Sequence, residues 1–139
     1  MYEGVNKIEN KFYPVSEDNI TKAQVDLGIL FPKELVSLYK TIGYGFLNST
    51  EGNFNRIMDP GSICEFRFRN GQFAHNAELD IYEEFERDKL IFFEICEGDY
   101  LSIGFTKENC GKVYDCNRMI ADNLEQFLTK YQENERYFR

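Results

Sequence analysis

Three strand-like runs joined by short glycine-containing turns constrain the fold of this chain more than any other feature. Residues 89–96 read Lys-Leu-Ile-Phe-Phe-Glu-Ile-Cys, which is typical of a central β-strand. A turn at 97–99 leads to a second run at 100–105, and a turn at 107–111 leads to a third at 112–116. The spacing predicts an antiparallel meander in which the three runs are neighbouring strands.

Helical patterns lie on both sides of this meander. Pro32 opens a stretch in which apolar residues share one helical face, and the pattern predicts a helix near 32–42 that stops at Gly43. A second face, formed by Ala121, Leu124, Phe127, Leu128 and Tyr131, predicts a helix near 120–131. Residues 132–139 are mainly polar, and we expect them to fray.

Shorter signals divide the rest of the chain. Thr21 and Gln24 have the spacing of a capping box, which predicts a short helix from Thr21 to a stop at Gly28. Residues 56–58 read as a short strand. Asp59-Pro60-Gly61 is either a turn or the cap of a helix at 62–68, and the sequence leaves both interpretations open.

The stretch from Glu78 to Asp88, which we call the acidic segment, carries six carboxylates against Arg87 alone. The spacing of Ile81, Tyr82 and Phe85 favours a short amphipathic helix with these three residues on its apolar face. Amphipathic tyrosines beside uncompensated charge suit a protein interface. The candidate binding face therefore consists of Tyr82, Glu83, Glu84, Glu86, Asp88, Glu97, Asp99 and Tyr100.

Composition restricts the class of partner. The 139 residues fit one domain, 1–139, and carry a net charge of −8, which disfavours direct binding of nucleic acid and favours a basic partner. The longest uncharged stretch is Thr41–Thr50, too short to span a membrane. The sequence opens without a cationic-then-apolar pattern, so we expect no signal peptide and a cytoplasmic protein.

No residue pattern points to a reaction or a bound metal. The four cysteines lack the two-residue spacing of zinc or redox motifs, and His75 is the sole histidine. We expect Cys64 and Cys96 to be buried. Cys110 and Cys116 could face each other across a hairpin, yet we expect reduced thiols in a cytoplasmic chain. We therefore expect no catalytic residues, no cofactor and no metal ligands.

The order of several short motifs resembles the SUKH superfamily of immunity proteins, whose eukaryotic relatives include a yeast regulator of cell-wall synthesis. The motifs are Leu30-Phe31-Pro32-Lys33-Glu34-Leu35, Gly43-Tyr44-Gly45, Gly98-Asp99-Tyr100-Leu101, Gly111-Lys112-Val113-Tyr114 and Leu124-Glu125-Gln126-Phe127-Leu128. The resemblance covers about residues 15–131, with residues 48–88 departing most from the family pattern. Gly43, Gly45, Gly98 and Asp99 match its motif positions.

The resemblance implies an α+β fold, in which helices at both ends of the domain flank a strongly bent antiparallel sheet. It implies no enzyme activity. It also implies a cognate toxin as partner, often a nuclease, which the protein neutralises in the producing cell. An acidic surface agrees with this, because a nuclease needs a positive groove for phosphates.

Two other classes of function stay open at this stage. One is a non-catalytic regulatory or scaffold module, as in the yeast relative. The other is a small-molecule-binding or enzymatic domain that uses an aromatic pocket.

Overall fold

The computed structural model describes residues 10–47, 55–96 and 98–139. Its strands are β1 (Lys11–Tyr13), β2 (Tyr44–Phe46), β3 (Asn55–Ile57), β4 (Lys89–Ile95), β5 (Asp99–Gly104), β6 (Val113–Asp115) and β7 (Arg118–Ala121). Its α-helices are α1 (Glu17–Leu27), α2 (Lys33–Thr41), α3 (Pro60–Phe68) and α4 (Leu124–Glu133). Two 3-10 helices, Gly71–Phe73 and Ala77–Arg87, lie between α3 and β4. The expected α+β class is confirmed.

The seven strands form one open sheet in which every strand pairs antiparallel with its neighbour in sequence. The predicted meander is confirmed as β4, β5 and β6. A register shift between Ile91 and Phe93 marks a bulge in β4. β1, β2 and β7 were missed, because strands of three or four residues are too short to show a two-residue period.

Helices cover both faces of the sheet. Phe93 on β4 meets Phe127 and Tyr131 of α4 at ring-centroid distances of 5.2 Å and 5.1 Å. The adjacent register pair, Glu94 and Tyr100, points the other way, and the Tyr100 ring lies 4.9 Å from Phe66 of α3. α4 therefore packs on one face of the sheet, and α3 packs on the opposite face.

The helix boundaries follow local capping chemistry. α1 begins after Ser16, whose hydroxyl accepts the amide N–H of Asn19, so the predicted start at Thr21 is wrong. The stop at the left-handed Gly28 is confirmed. α2 matches the prediction closely. The Asp59 carboxylate caps α3 by accepting the amide N–H of Ser62. Asp59-Pro60-Gly61 is therefore the start of a helix and not a separate turn.

Gly43 follows the end of α2, as the sequence suggested, whereas Tyr44 and Gly45 belong to β2. Gly43 and Gly45 have φ values of 111° and 145°. A Cβ atom at these positions would lie 1.9 Å from the Tyr13 carbonyl oxygen and 2.1 Å from that of Lys11. Glycine here lets β1 approach β2, which gives this motif a structural reason.

The end of the chain is packed, so the prediction of fraying is wrong. Phe138 is buried, and the Tyr137 hydroxyl donates a hydrogen bond of 2.7 Å to the carbonyl of Ile120. The predicted start of the last helix near Ile120 is also wrong, since Ile120 and Ala121 belong to β7 and α4 begins after the Asn123 cap.

The four cysteines are free thiols in different surroundings. Cys64 is half-buried and lies 3.6 Å from the carbonyl oxygen of Ala23. Cys96 is exposed, so the prediction of a buried Cys96 is wrong. The reason is its position after the end of β4, where the backbone turns with a φ of 47°.

Candidate protein-binding face

The acidic segment folds as the 3-10 helix Ala77–Arg87, and Asn76 caps it by accepting the amide N–H of Glu78 at 3.1 Å. A helix was predicted, but with the pitch of an α-helix. Side chains three residues apart align in a 3-10 helix. Leu79 and Tyr82 therefore point into the core, while Ile81 is 64% exposed, and the expectation that Ile81 belongs to the apolar face is wrong.

Two arginines from the end of α3 attach this helix to the domain. Arg67 donates to the carbonyl of Glu86 at 2.8 Å, and Arg69 donates to that of Leu79 at 3.2 Å. Arg69 also pairs with the Glu86 carboxylate at 2.5 Å. Burial raises the pKa of Glu86, and the hydrogen bond and charge of Arg69 oppose that rise. Glu86 is thus a buried attachment point, not the surface contact that the sequence suggested.

Tyr82 and Tyr100, the two predicted anchors, are core residues with only 5% and 4% of their surface exposed. Their rings meet edge to face at 5.5 Å in a cluster with Phe66 and Phe73. The Tyr82 hydroxyl accepts the amide N–H of Tyr100 at 3.2 Å, and burial raises the pKa of Tyr82 to about 12. Neither ring is available to a partner in this conformation.

A polar chain continues from these rings across the sheet. The Tyr100 hydroxyl donates to Glu94 at 3.0 Å, and Glu94 pairs with Arg56 at 3.2 Å. Arg56 in turn donates to Gln72, in the first 3-10 helix, at 3.1 Å. Burial is the main cause that raises the pKa of Tyr100, with the Glu94 charge second. This series of polar contacts connects the sheet to the first 3-10 helix, which precedes the acidic segment.

Four carboxylates of the acidic segment face solvent, namely those of Glu78, Asp80, Glu83 and Glu84. Within the described parts of the chain, none of the four forms an ion pair, whereas Asp88 binds Lys89 at 2.8 Å. Asp80, Glu83 and Glu84 border a groove together with Ile81 and Arg87. The hydrogen bonds of Arg67 and Arg69 fix the backbone that carries these four carboxylates, and we call the exposed side of this helix the acidic ridge.

Asp99 lies beside the ridge but is partly neutralised. Its carboxylate meets the Arg139 guanidinium at 2.5 Å, and Arg139 also reaches Asp115 of β6 at 3.5 Å. Burial is the main cause that raises the pKa of the Cys116 thiol, and the charges of Asp115 and then Asp99 add to the rise. Glu97 falls outside the described residues.

Sequence reasoning missed the arginines that organise this face. Arg67 and Arg69 flank Phe68 at the end of α3, where basic residues usually signal a helix terminus. Arg139 lies 40 positions after Asp99, and no local pattern links them. The partners of these arginines become visible only in the folded chain.

Within residues 10–47, 55–96 and 98–139, no group of three or more His, Cys, Asp and Glu side chains is arranged to hold a metal ion. No helix of this part of the chain combines the length and apolarity needed to cross a membrane.

The fold defines the class as a single-domain α+β protein with an open antiparallel sheet. More particularly, the chain belongs to the SMI1 / KNR4 family (SUKH-1), whose model matches residues 14–130. It is also similar to "Immunity protein YxxD" of Bacillus subtilis (strain 168), with 42% identity over 130 residues that cover 94% of this chain and 88% of the relative. No solved structure matches the chain. The resemblance to the SUKH superfamily is confirmed, and with it the expectation of a non-catalytic protein.

Proposed function

We propose that this chain is a bacterial immunity protein, which binds a cognate toxin in the cytoplasm of the cell that produces it. The observation that carries this proposal is the similarity to a protein named for immunity, at 42% identity along nearly the whole length of both chains. Identity at that level over a full domain supports a shared mode of action. An inhibitor acts by occupying a surface of its target, so it needs a shaped and charged face and no reaction centre.

The charge of the exposed ridge supports a basic toxin, and specifically a nuclease. Glu78, Asp80, Glu83 and Glu84 present unpaired negative charge on a helix that buried contacts hold in place. A nuclease requires a positively charged groove for its phosphates. Carboxylates on a preorganised ridge can enter such a groove and accelerate association by electrostatic steering. This complementarity favours binding at the toxin's substrate groove.

Burial changes the proposed contact set. The original candidates that remain exposed or half-exposed are Glu83, Glu84, Asp88 and Asp99. Asp80 and Ile81 border the same groove as Glu83 and Glu84 and are added to the contact set. Tyr82, Tyr100 and Glu86 support the ridge from beneath. Ile81 supplies the exposed apolar side chain that interfaces usually place near their centre.

Co-expression with the toxin domain encoded by the neighbouring gene tests the proposal. Growth should be lost when the toxin domain is expressed alone and restored when this chain is present. A catalytically inactive toxin domain should co-purify with it in a fixed ratio. An unrelated acidic protein of similar size is the control for charge alone. A scaffold protein would give neither rescue nor a complex, and that result would overturn the proposal.

A further inference from the structure

The guanidinium of Arg139 bridges the carboxylates of Asp99 and Asp115, which lie beside the acidic ridge. Its Nη1 atom lies 2.5 Å from Oδ2 of Asp99, and its Nη2 atom lies 3.5 Å from Oδ1 of Asp115. Asp99 begins β5 and Asp115 ends β6, which is the neighbouring strand. Two acceptors that flank one planar fork are a geometry suited to arginine rather than to lysine.

The segment that carries Arg139 is held in place by other contacts. The Tyr137 hydroxyl donates to Ile120, the Arg118 guanidinium donates to the carbonyl of Phe138, and the Phe138 ring is buried. These bonds do not involve the Arg139 side chain. Arg139 can therefore leave its carboxylates while residues 134–138 stay packed along β7.

The ion pair itself is open to solvent. The side chains of Arg139 and Asp99 are 40% and 38% exposed. Exposed pairs contribute little to stability and exchange readily with other charges. The Tyr82 hydroxyl, on the helix that carries the acidic ridge, accepts the amide N–H of Tyr100 at 3.2 Å, and Tyr100 directly follows Asp99. A group that binds the ridge is thus brought next to the Arg139 site.

We propose that Arg139 is an intramolecular competitor for the partner. In the free protein it bridges Asp99 and Asp115, the second of which Arg118 also contacts at 3.4 Å. In the complex an arginine of the toxin takes the place of Arg139, which turns toward solvent. The inference rests on the proposed function and specifies it further, because it assigns the type of side chain that the partner contributes. Arginine is the side chain that reproduces both contacts at once.

The test compares Arg139→Ala with Arg136→Ala in binding to the inactive toxin domain. Arg136 is also exposed, lies in the same segment and carries the same charge, but it is not in the Asp99–Asp115 site. Both variants lose one positive charge, and the comparison is made at about 0.5 M salt, where long-range steering is screened, so that their difference reports on competition. We expect Arg139→Ala to associate about two- to fivefold faster than Arg136→Ala, as the small contribution of an exposed pair allows. Equal or slower association would overturn the inference.

A second measurement follows Arg139 itself. In the wild-type protein, the NMR signal of the Arg139 Nε–H group should shift towards that of a solvated arginine when the inactive toxin domain is added. The double variant Asp99→Asn/Asp115→Asn should weaken the complex more than Asp122→Asn/Glu125→Asn, the second pair being exposed carboxylates near the start of α4. An unchanged Arg139 signal in a formed complex would refute displacement.

The two proposals fail in different ways. If the wild-type chain neither rescues growth nor binds the toxin domain, the immunity function fails and the competitor role falls with it. If the wild-type chain binds and rescues while Arg139→Ala behaves like Arg136→Ala, the competitor role alone is wrong.

Discussion

Tyr82 joins the acidic ridge to the sheet through both its ring and its hydroxyl. The ring packs edge to face against Phe66 and Tyr100, and the hydroxyl accepts the backbone N–H of Tyr100. We expect Tyr82→Ala to lower the free energy of unfolding by about 3–5 kcal/mol, the usual cost of deleting a buried aromatic ring. Urea denaturation of the variant and the wild type measures this difference.

Tyr82→Phe separates the structural role from a direct role in binding. It keeps the ring but leaves the Tyr100 N–H without its acceptor, at a cost of about 1–3 kcal/mol. The folded variant should bind the toxin domain with unchanged kinetics. Dissociation that is ten times faster in the folded variant would instead identify Tyr82 as a direct anchor.

Ionisation of the Glu86 carboxyl should make the free energy of unfolding depend on pH. Burial raises its folded-state pKa above the ordinary value of 4.5. A carboxyl with a raised pKa favours folding most when it is protonated, and this contribution is lost as the pH rises through the folded-state pKa. Glu86→Gln stays neutral at every pH. Relative to the wild type, the variant should therefore gain stability between pH 4 and pH 7.

Urea denaturation at pH 4 and pH 7 checks this expectation, and the other carboxylates cancel because both proteins contain them. Arg69 is the competing influence, since its charge stabilises ionised Glu86. If the wild type gained stability relative to Glu86→Gln as the pH rises, the ion pair would outweigh burial.

Among the elements, the β1–β2 pair depends on glycine most directly. A Cβ atom at Gly43 or Gly45 would collide with a β1 carbonyl, and the backbone there has a positive φ. Gly98 also has a positive φ, of 106°, but nothing lies within 4 Å of its Cβ position. We expect Gly43→Ala and Gly45→Ala to destabilise the protein well beyond Gly98→Ala, which bears only the conformational cost of about 1–2 kcal/mol.

Thermal and urea unfolding of the three variants measures that order. Equal losses would mean that β1 can move aside, so that conformational strain alone governs all three positions. A smaller loss at Gly43 and Gly45 than at Gly98 would contradict the proposed role of the motif.

Element by element, prediction succeeded where the pattern was local and long enough. The run 89–96 contains several β-branched and aromatic residues and a clear turn, so β4 and β5 followed from the sequence. β1 and β2 did not, because each has three residues and its pairing is decided by a partner about 30 positions away. The 3-10 pitch of Ala77–Arg87 was also hidden, because apolar residues spaced by three suit an α-helix as well as a 3-10 helix.

Across the whole molecule, the distribution of charge could be predicted but the accessibility of each charge could not. The excess of carboxylates in the acidic segment was plain from the sequence. Which of them face solvent depends on Arg67, Arg69 and Arg139, whose partners are distant in sequence. The resulting surface has an unpaired ridge and a neighbouring site occupied by an arginine of the same chain.

The ridge makes a kinetic prediction for the molecule as a whole. Glu83→Lys/Glu84→Lys reverses two exposed charges without removing a described ion pair or a buried contact, so the fold should be retained. Association with the toxin domain should slow by about tenfold or more at low salt, and its dependence on ionic strength should flatten, because steering is lost. Stopped-flow measurements across a range of salt concentrations give both quantities.

Glu125→Lys/Glu133→Lys is the matched control, because it changes the net charge equally on exposed positions of α4, which covers the other side of the sheet. Binding at the ridge requires the first pair to slow association much more than the second. Equal slowing by both pairs would mean that only the total charge steers the encounter. If neither pair altered the rate while the toxin was still neutralised, the ridge would not be the contact face, and immunity would act through another surface of the domain.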